Sequence, residues 1–202
     1  MKTLKQHINE ALKIGNNLSE WSSYSCQAKT KSELEKITKG RISKEGPNCD
    51  LNDIDTSLID DMSYLFRESK FNGDISRWNT SNATNMRYMF AESDFNGDIS
   101  KWDVSNVNSM VAMFADSQFN GDISKWNTSK VENMDSMFAR SKFNQDISNW
   151  NVSSVNNMCM MFYKSKFNQD ISNWKINKDC KTWFMFDTRC HIKEEYKPAI
   201  PR

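Results

Sequence analysis

The feature that most constrains this chain is a sequence unit that returns every 24 residues. Its clearest copy opens at Met110 with Met-Val-Ala-Met-Phe and closes at Trp126 with Asp-Ile-Ser-Lys-Trp. Five full copies run from Met62 to Lys181, and a sixth begins at Thr182 before the pattern is lost. A fixed period of about 20 to 50 residues is typical of a solenoid, in which each repeat covers the apolar face of its neighbour. We therefore expect a stacked repeat array.

The apolar residues within one copy predict how it folds. Met110, Met113 and Phe114 are spaced i, i+3 and i+4, which favours a short helical turn with all three side chains on one side. Residues 122–126 predict an extended segment, and stacked copies of that segment would pair as a parallel sheet. Because crossovers between parallel strands are right-handed in nearly all proteins, we expect an α/β repeat fold, a right-handed β/α solenoid.

The remaining patterns divide the chain into segments around the array. An amphipathic helix is expected at 3–14, and a second helix at 32–43, where Ser32 and Glu35 have the spacing of a capping box. A Gly-Pro-Asn sequence at 46–48 ends the second helix. These patterns divide the whole chain into four segments: an amphipathic leader and linker at 1–30, an N-terminal helical cap at 31–49, the repeat array at 50–188, and a C-terminal cap or tail at 189–202.

Composition and motif searches exclude several classes of function. A formal charge of +1 favours neither nucleic acid nor an anionic membrane, and no apolar stretch approaches the about 20 residues of a membrane span. The five cysteines are odd in number and contain no CxxC, which favours reduced thiols over a disulfide framework or a zinc site. His7 and His191 lie near opposite ends, so no catalytic triad or HExxH site can be assembled. We expect no enzymatic activity, no metal and no cofactor.

Two further ladders recur in register with the methionines. The tryptophans are Trp78, Trp102, Trp126, Trp150 and Trp174, and the aspartates are Asp74, Asp98, Asp122, Asp146 and Asp170. The Trp ladder is expected in the core, and its alternative role is a platform on which sugars stack. A row of carboxylates repels itself unless each accepts hydrogen bonds. Turn-bracing bonds are therefore the expected role of the Asp ladder, and calcium binding is the alternative.

Positions whose residue type differs between copies are not required for packing of the core, so they are candidates for a partner-binding face. One such set runs beside the Trp ladder and changes from basic to polar: Arg77, Lys101, Lys125, Asn149 and Asn173. We call it the basic-to-polar strip. A second variable position pair contributes Arg87 and Tyr88. Solenoids bind through extended surfaces of this kind, and the alternative is an ordinary solvated face.

The repeated unit also carries a family resemblance. Written as M-x-x-M-F-x-x-S-x-F-N-x-D-I-S-x-W-(N/D)-(V/T)-S-x-V-x-x-M, it is similar to the BspA-type leucine-rich-repeat surface proteins, over about residues 50–186. That repeat class is abundant in mycoplasma lipoproteins and in gut and oral bacteria. The resemblance implies a β/α solenoid like that of leucine-rich-repeat (LRR) proteins, no enzymatic activity, and roles in surface display, adhesion or partner binding.

The expected function is therefore a non-enzymatic interaction module with a protein partner. The sequence shows neither a signal peptide nor a lipobox, which favours a cytoplasmic or virion-associated protein, whereas the resemblance implies the cell surface. One alternative is a structural or packaged component of a phage particle, because residues 1–12 resemble the short leaders of some phage-encoded proteins. Another alternative is a carbohydrate-binding adhesin with a glycan partner.

Overall fold

The computed structural model describes residues 24–187 and 189–200. Regular secondary structure in these ranges is brief: strand β1 at Cys26–Gln27, helix α1 at Lys31–Glu45, strand β2 at Ile54–Asp55, and a 3₁₀ turn at Glu194–Tyr196. Between residues 56 and 187 the chain consists of turns, bends and isolated bridges. The helix expected at 3–14, and with it the phage-type leader, lies outside the described residues.

Successive copies of the repeat are bonded side by side in parallel register. Isolated bridges join residues 24 apart, from Asp61–Asn85 through to Asn157–Lys181. Between two neighbouring copies, the N–H groups of Met110, Ala112 and Phe114 donate to carbonyls of the next copy at 2.9, 2.8 and 2.9 Å. The same pattern recurs from one copy to the next, so each copy is held against its neighbour by equivalent bonds.

Most of the bridges do not fall where the sequence predicted the sheet. Five of the six isolated bridges in the described residues lie at the residue before the first methionine of a copy or its equivalent, and only Asp50–Asp74 lies at the predicted strand position. The segment at 122–126 forms no bridge. The cause is local hydrogen bonding. The Ser124 N–H donates to the Asp122 carboxylate at 2.9 Å, and the Trp126 N–H donates to the Ile123 carbonyl at 3.2 Å. These donors are therefore not available to a neighbouring copy.

The segment at 110–116 is a ribbon of turns and not the short helical turn that its spacing predicted. Ala112 and Asp116 have φ values of +50° and +56°, in the left-handed region that interrupts an α-helix. As a result, alternate N–H groups point in different directions. Those of Met113 and Ala115 close local turns at 3.2 Å, whereas those between them bond to the next copy. Met110, Met113 and Phe114 are still fully buried.

The core is a set of aromatic stacks that run along the array. In the first stack, neighbouring ring centroids are 5.6–5.8 Å apart with interplanar angles of 10° or less: Phe66, Phe90, Phe114, Phe138, Phe162 and Phe186. A second stack has spacings of 6.0–6.2 Å: Phe71, Phe95, Phe119, Phe143 and Phe167. Offset stacking of this kind adds to the stabilisation that burial alone provides.

Helix α1 and strand β1 cover the N-terminal end of the array. Thr30 caps the helix by accepting the Glu33 N–H at 3.2 Å, so the expected Ser32–Glu35 capping box is displaced by two residues. The helix ends at Glu45 and is capped by Gly46, whose φ of +91° suits glycine. Its Leu34 side chain is completely buried. β1 then pairs with β2 in parallel, with Cys26 opposite Ile54.

The tail covers part of the C-terminal end. The Tyr196 carbonyl accepts the Ile171 N–H at 3.0 Å, and the Lys193 N–H donates to the Asn168 side chain at 3.1 Å. Ile192 is buried beneath this segment. The side of the last full copy that contains residues 167–171 is thus shielded from water, whereas residues 182–186 receive no such cover from these bonds.

Candidate interaction surfaces

The Trp ladder lies in the core. Its five side chains are only 3–4% exposed, and each indole N–H donates to a backbone carbonyl 27 residues earlier, as Trp126 does to Ile99 at 3.1 Å. Because the ring faces stack on other buried rings, they are not accessible to a sugar. The carbohydrate-binding alternative therefore loses its expected platform.

The Asp ladder braces turns. Each carboxylate accepts the N–H of the serine two residues later at 2.8–2.9 Å. These backbone hydrogen bonds hold the pKa of Asp74, Asp98, Asp122 and Asp170 below its ordinary value. In the part of the chain that the structure describes, no three metal-ligating side chains converge as a metal site requires.

The basic-to-polar strip lies on the surface, with all five of its side chains exposed. Its cations face the Asp ladder, since Lys101 and Lys125 help to lower the pKa of Asp98 and Asp122. Two asparagines replace the cations in the last two copies, while Asp146 and Asp170 remain. The strip therefore changes along the array from a balanced face to an acidic one.

Arg87 and Tyr88 belong to a different surface at the N-terminal end of the array. The rings of Tyr64 and Tyr88 stack with centroids 5.0 Å apart and an interplanar angle of 5°. The Arg87 guanidinium lies 5.7 Å from the Tyr64 centroid and 5.8 Å from that of Tyr88, and Arg67 lies 5.7 Å from Tyr88. We call these four residues the tyrosine–arginine cluster.

Backbone geometry sets the position of the two tyrosines. Tyr64 and Tyr88 have φ values of +63° and +56°, at the position where later copies carry Ala112, Ser136 and Met160. The stacked pair is therefore confined to the first two copies. The sequence analysis found Arg87 and Tyr88 and missed Tyr64 and Arg67. The 24-residue spacing of the two tyrosines was the signal that would have found Tyr64.

Residues 38–197 of the chain match a known protein family. Residues 38–139 and 113–197 both match the family described as Mycoplasma protein of unknown function, DUF285. The chain belongs to this family. The two DUF285 matches overlap at 113–139, as expected when repeated units align to the family more than once. The predicted relationship to mycoplasma proteins is confirmed at this level.

Other comparisons and searches add little to the family assignment. No curated protein and no solved structure matches the chain. None of the helices that the structure describes is long and apolar enough to cross a membrane. All five cysteines, which lie within the described ranges, are free thiols.

Proposed function

We propose that this DUF285 chain is a non-enzymatic interaction module, an LRR-like solenoid of the BspA type that binds a protein partner. The parallel bonding of successive copies and the continuous aromatic core support the solenoid. The expected binding surface is the tyrosine–arginine cluster, with the basic-to-polar strip as a second face.

The observation that carries the proposal is the composition and order of the cluster. Tyrosine and arginine are enriched among the residues that dominate binding energy at protein interfaces. Tyr64 is 40% exposed, and its ring is already held by stacking on Tyr88. Because these side chains are fixed before a partner arrives, little further conformational entropy is lost on binding.

Charge indicates the chemistry of the partner at this cluster. Arg67 is paired with Glu68 at 3.0 Å and with Glu92 at 3.2 Å. Arg87 has no carboxylate within ion-pairing distance among residues 24–187 and 189–200. A partner carboxylate beside an aromatic or aliphatic side chain would therefore complement Arg87 and the tyrosine pair.

The test is a binding measurement with substitutions that the repeat itself supplies. A partner captured by crosslinking and identified by mass spectrometry would be purified, and its Kd measured with the wild-type chain, Tyr88→Ala and Arg87→Val. Ala112 and Val111 occupy the same positions one copy later, so both variants are compatible with the fold. Loss of a hot-spot residue costs about 2 kcal/mol or more, and we expect Kd to rise about 30-fold.

Two further variants complete the design. Arg77→Asn combined with Lys101→Asn copies Asn149 and Asn173 and reports on the strip. Lys130→Ser copies Ser154 on a different part of the surface and serves as the control. If the cluster and strip variants all bind with the wild-type Kd, the proposed surfaces are wrong.

A further inference from the structure

The C-terminal end of the array presents a row of backbone donors that has no partner within residues 24–187 and 189–200. In the last full copy, the N–H groups of Met158, Met160 and Phe162 donate to the carbonyls of Lys181, Trp183 and Met185 at 2.7, 2.9 and 3.0 Å. The equivalent donors one copy later belong to Thr182, Phe184 and Phe186. Among the described residues, none accepts a hydrogen bond from these three groups. Such a row is a template for one more segment of chain.

Large exposed apolar side chains lie beside this row of backbone donors. Trp183 is 69% exposed and Phe184 is 68% exposed, and Met160 in the preceding copy is 40% exposed. We call these three residues the terminal apolar patch. The tail bonds to residues 168 and 171, and its Lys197 ammonium lies 5.6 Å from the Phe186 ring centroid, whereas Trp183 and Phe184 remain exposed. Contiguous exposed aromatics on a soluble protein indicate a binding surface.

The charge of this end identifies the occupant. Residues 163–200 contain eight Lys and Arg against five Asp and Glu, and Lys181 directly precedes the row of donors. A second copy of the chain is a poor occupant because its own C-terminal end would bring the same cations and the same donors. At its N-terminal end the Lys31 ammonium binds the Asp61 carboxylate at 3.1 Å and the Ser63 hydroxyl at 2.5 Å, so a second copy would bring this cation to the position opposite Lys181.

We propose that residues 182–186 bind an extended, acidic segment of a partner protein, which adds to the array as one further rung. Carbonyls of the segment accept from Thr182, Phe184 and Phe186, as the carbonyls of each copy do for the copy before it. An apolar side chain of the segment covers Trp183 and Phe184, and a carboxylate faces Lys181. This mode of recognition combines backbone bonds for affinity with side-chain contacts for specificity.

A peptide with the sequence of residues 60–69 is a suitable probe. It is the first copy's version of the same unit, and it opens with Asp60 and Asp61. Labelled with a dye, it would be titrated with the full chain by fluorescence anisotropy. We expect saturable binding that weakens at least tenfold when Lys replaces both aspartates of the peptide. An ester in place of the Ser63–Tyr64 amide weakens one acceptor carbonyl, so we expect this peptide to bind several-fold less tightly.

Variants of the protein locate the site. Trp183→Asp and Phe184→Ser copy Asp135 and Ser136, which occupy the same positions two copies earlier. We expect each to weaken binding at least tenfold. Tyr88→Ala should bind the peptide normally, so a failure of this inference and a failure of the proposed cluster are distinguishable. In hydrogen exchange, the amides of Thr182, Phe184 and Phe186 should become protected only with peptide bound.

Three results would overturn the inference. The first is absence of saturable binding by the wild-type chain. The second is binding that survives both Trp183→Asp and Phe184→Ser. The third is a wild-type chain that is dimeric by light scattering and becomes monomeric in these variants, because the patch would then hold a second copy.

Discussion

Trp126 provides the sharpest test of the packing described above. Its side chain is 4% exposed, stacks on Trp150 at 6.4 Å and donates its indole N–H to the Ile99 carbonyl at 3.1 Å. Truncation of a large buried aromatic to alanine costs about 3–5 kcal/mol, through lost transfer energy and the cavity that remains. We expect Trp126→Ala to lower the free energy of unfolding by that amount.

A second substitution separates packing from hydrogen bonding. Trp126→Phe keeps an aromatic ring but removes the indole donor, while the Ile99 carbonyl keeps its bond from the Trp102 N–H at 3.2 Å. The cost of losing one hydrogen bond of this kind is about 0.5–1.5 kcal/mol. We expect a loss within that range.

The assay is urea unfolding followed by circular dichroism and by fluorescence, with coincident transitions as the check for two-state behaviour. The matched control is Trp183→Ala at the exposed end of the array. Surface substitutions of this kind change stability by less than about 0.5 kcal/mol. A loss below about 1 kcal/mol for Trp126→Ala would refute the inward assignment of the Trp ladder.

Three further predictions concern the backbone and the Asp ladder. A Cβ at Gly73 would lie 2.0 Å from the Cys49 carbonyl oxygen, whereas a Cβ at Gly121 would lie no closer than 3.0 Å, from the Phe119 ring. We therefore expect Gly73→Ala to lower the melting temperature more than Gly121→Ala does in thermal unfolding. Glu92 has a φ of +58°, and Glu92→Gly relieves left-handed strain of about 1–2 kcal/mol while it removes the exposed ion pair with Arg67, worth about 0–1 kcal/mol. We therefore expect the free energy of unfolding to rise by up to about 1 kcal/mol, whereas Asp94→Gly, at an exposed residue without positive φ, should lower it. If both changes destabilise equally in urea, the left-handed conformation carries no strain. The lowered pKa values of Asp98 and Asp122 mean that these carboxylates stabilise the fold above the unfolded-state value of about 3.9, and that this stabilisation is lost as pH falls through the lower folded-state values. The free energy of unfolding should therefore be level above about pH 5 and fall below about pH 4. The fall should be shallower for Asp122→Asn, which keeps the acceptor oxygen but does not titrate. Identical acid unfolding profiles for the two proteins would contradict the stabilising role of the Asp122 charge.

The repeat made the stacking of copies predictable, because fixed spacing fixes which residues meet. The path of the chain within a copy was harder to foresee. Met110, Met113 and Phe114 have helical spacing, and nothing in the residue types announces the positive φ of Ala112. The predicted bounds of helix α1 were correct to within two residues at each end. The predicted N-cap, Ser32, was wrong, and the observed N-cap is Thr30, because Ser and Thr can both cap a helix and the sequence offers both.

The candidate surfaces were also predictable only in part. Comparison of copies identified Arg87 and the basic-to-polar strip, because positions that vary between copies are not required for packing of the core. It missed the terminal apolar patch, because Trp183 and Phe184 resemble core residues in composition. They are exposed because they belong to the last copy, on which no further copy stacks among the residues that the structure describes.

The backbone bonds between copies recur with the same 24-residue offset: Met110 N–H donates to the next copy as Met134 N–H does, and Asn108 N–H donates to the preceding copy as Glu132 N–H does. A duplication or deletion of one 24-residue unit inside the array would therefore reproduce the same junctions and leave both ends unchanged. Each such event would alter the separation between the tyrosine–arginine cluster and the terminal apolar patch by one step, about the 5.7 Å that separates Phe90 from Phe114. Genes of this kind can change the distance between the two proposed binding surfaces without altering either surface.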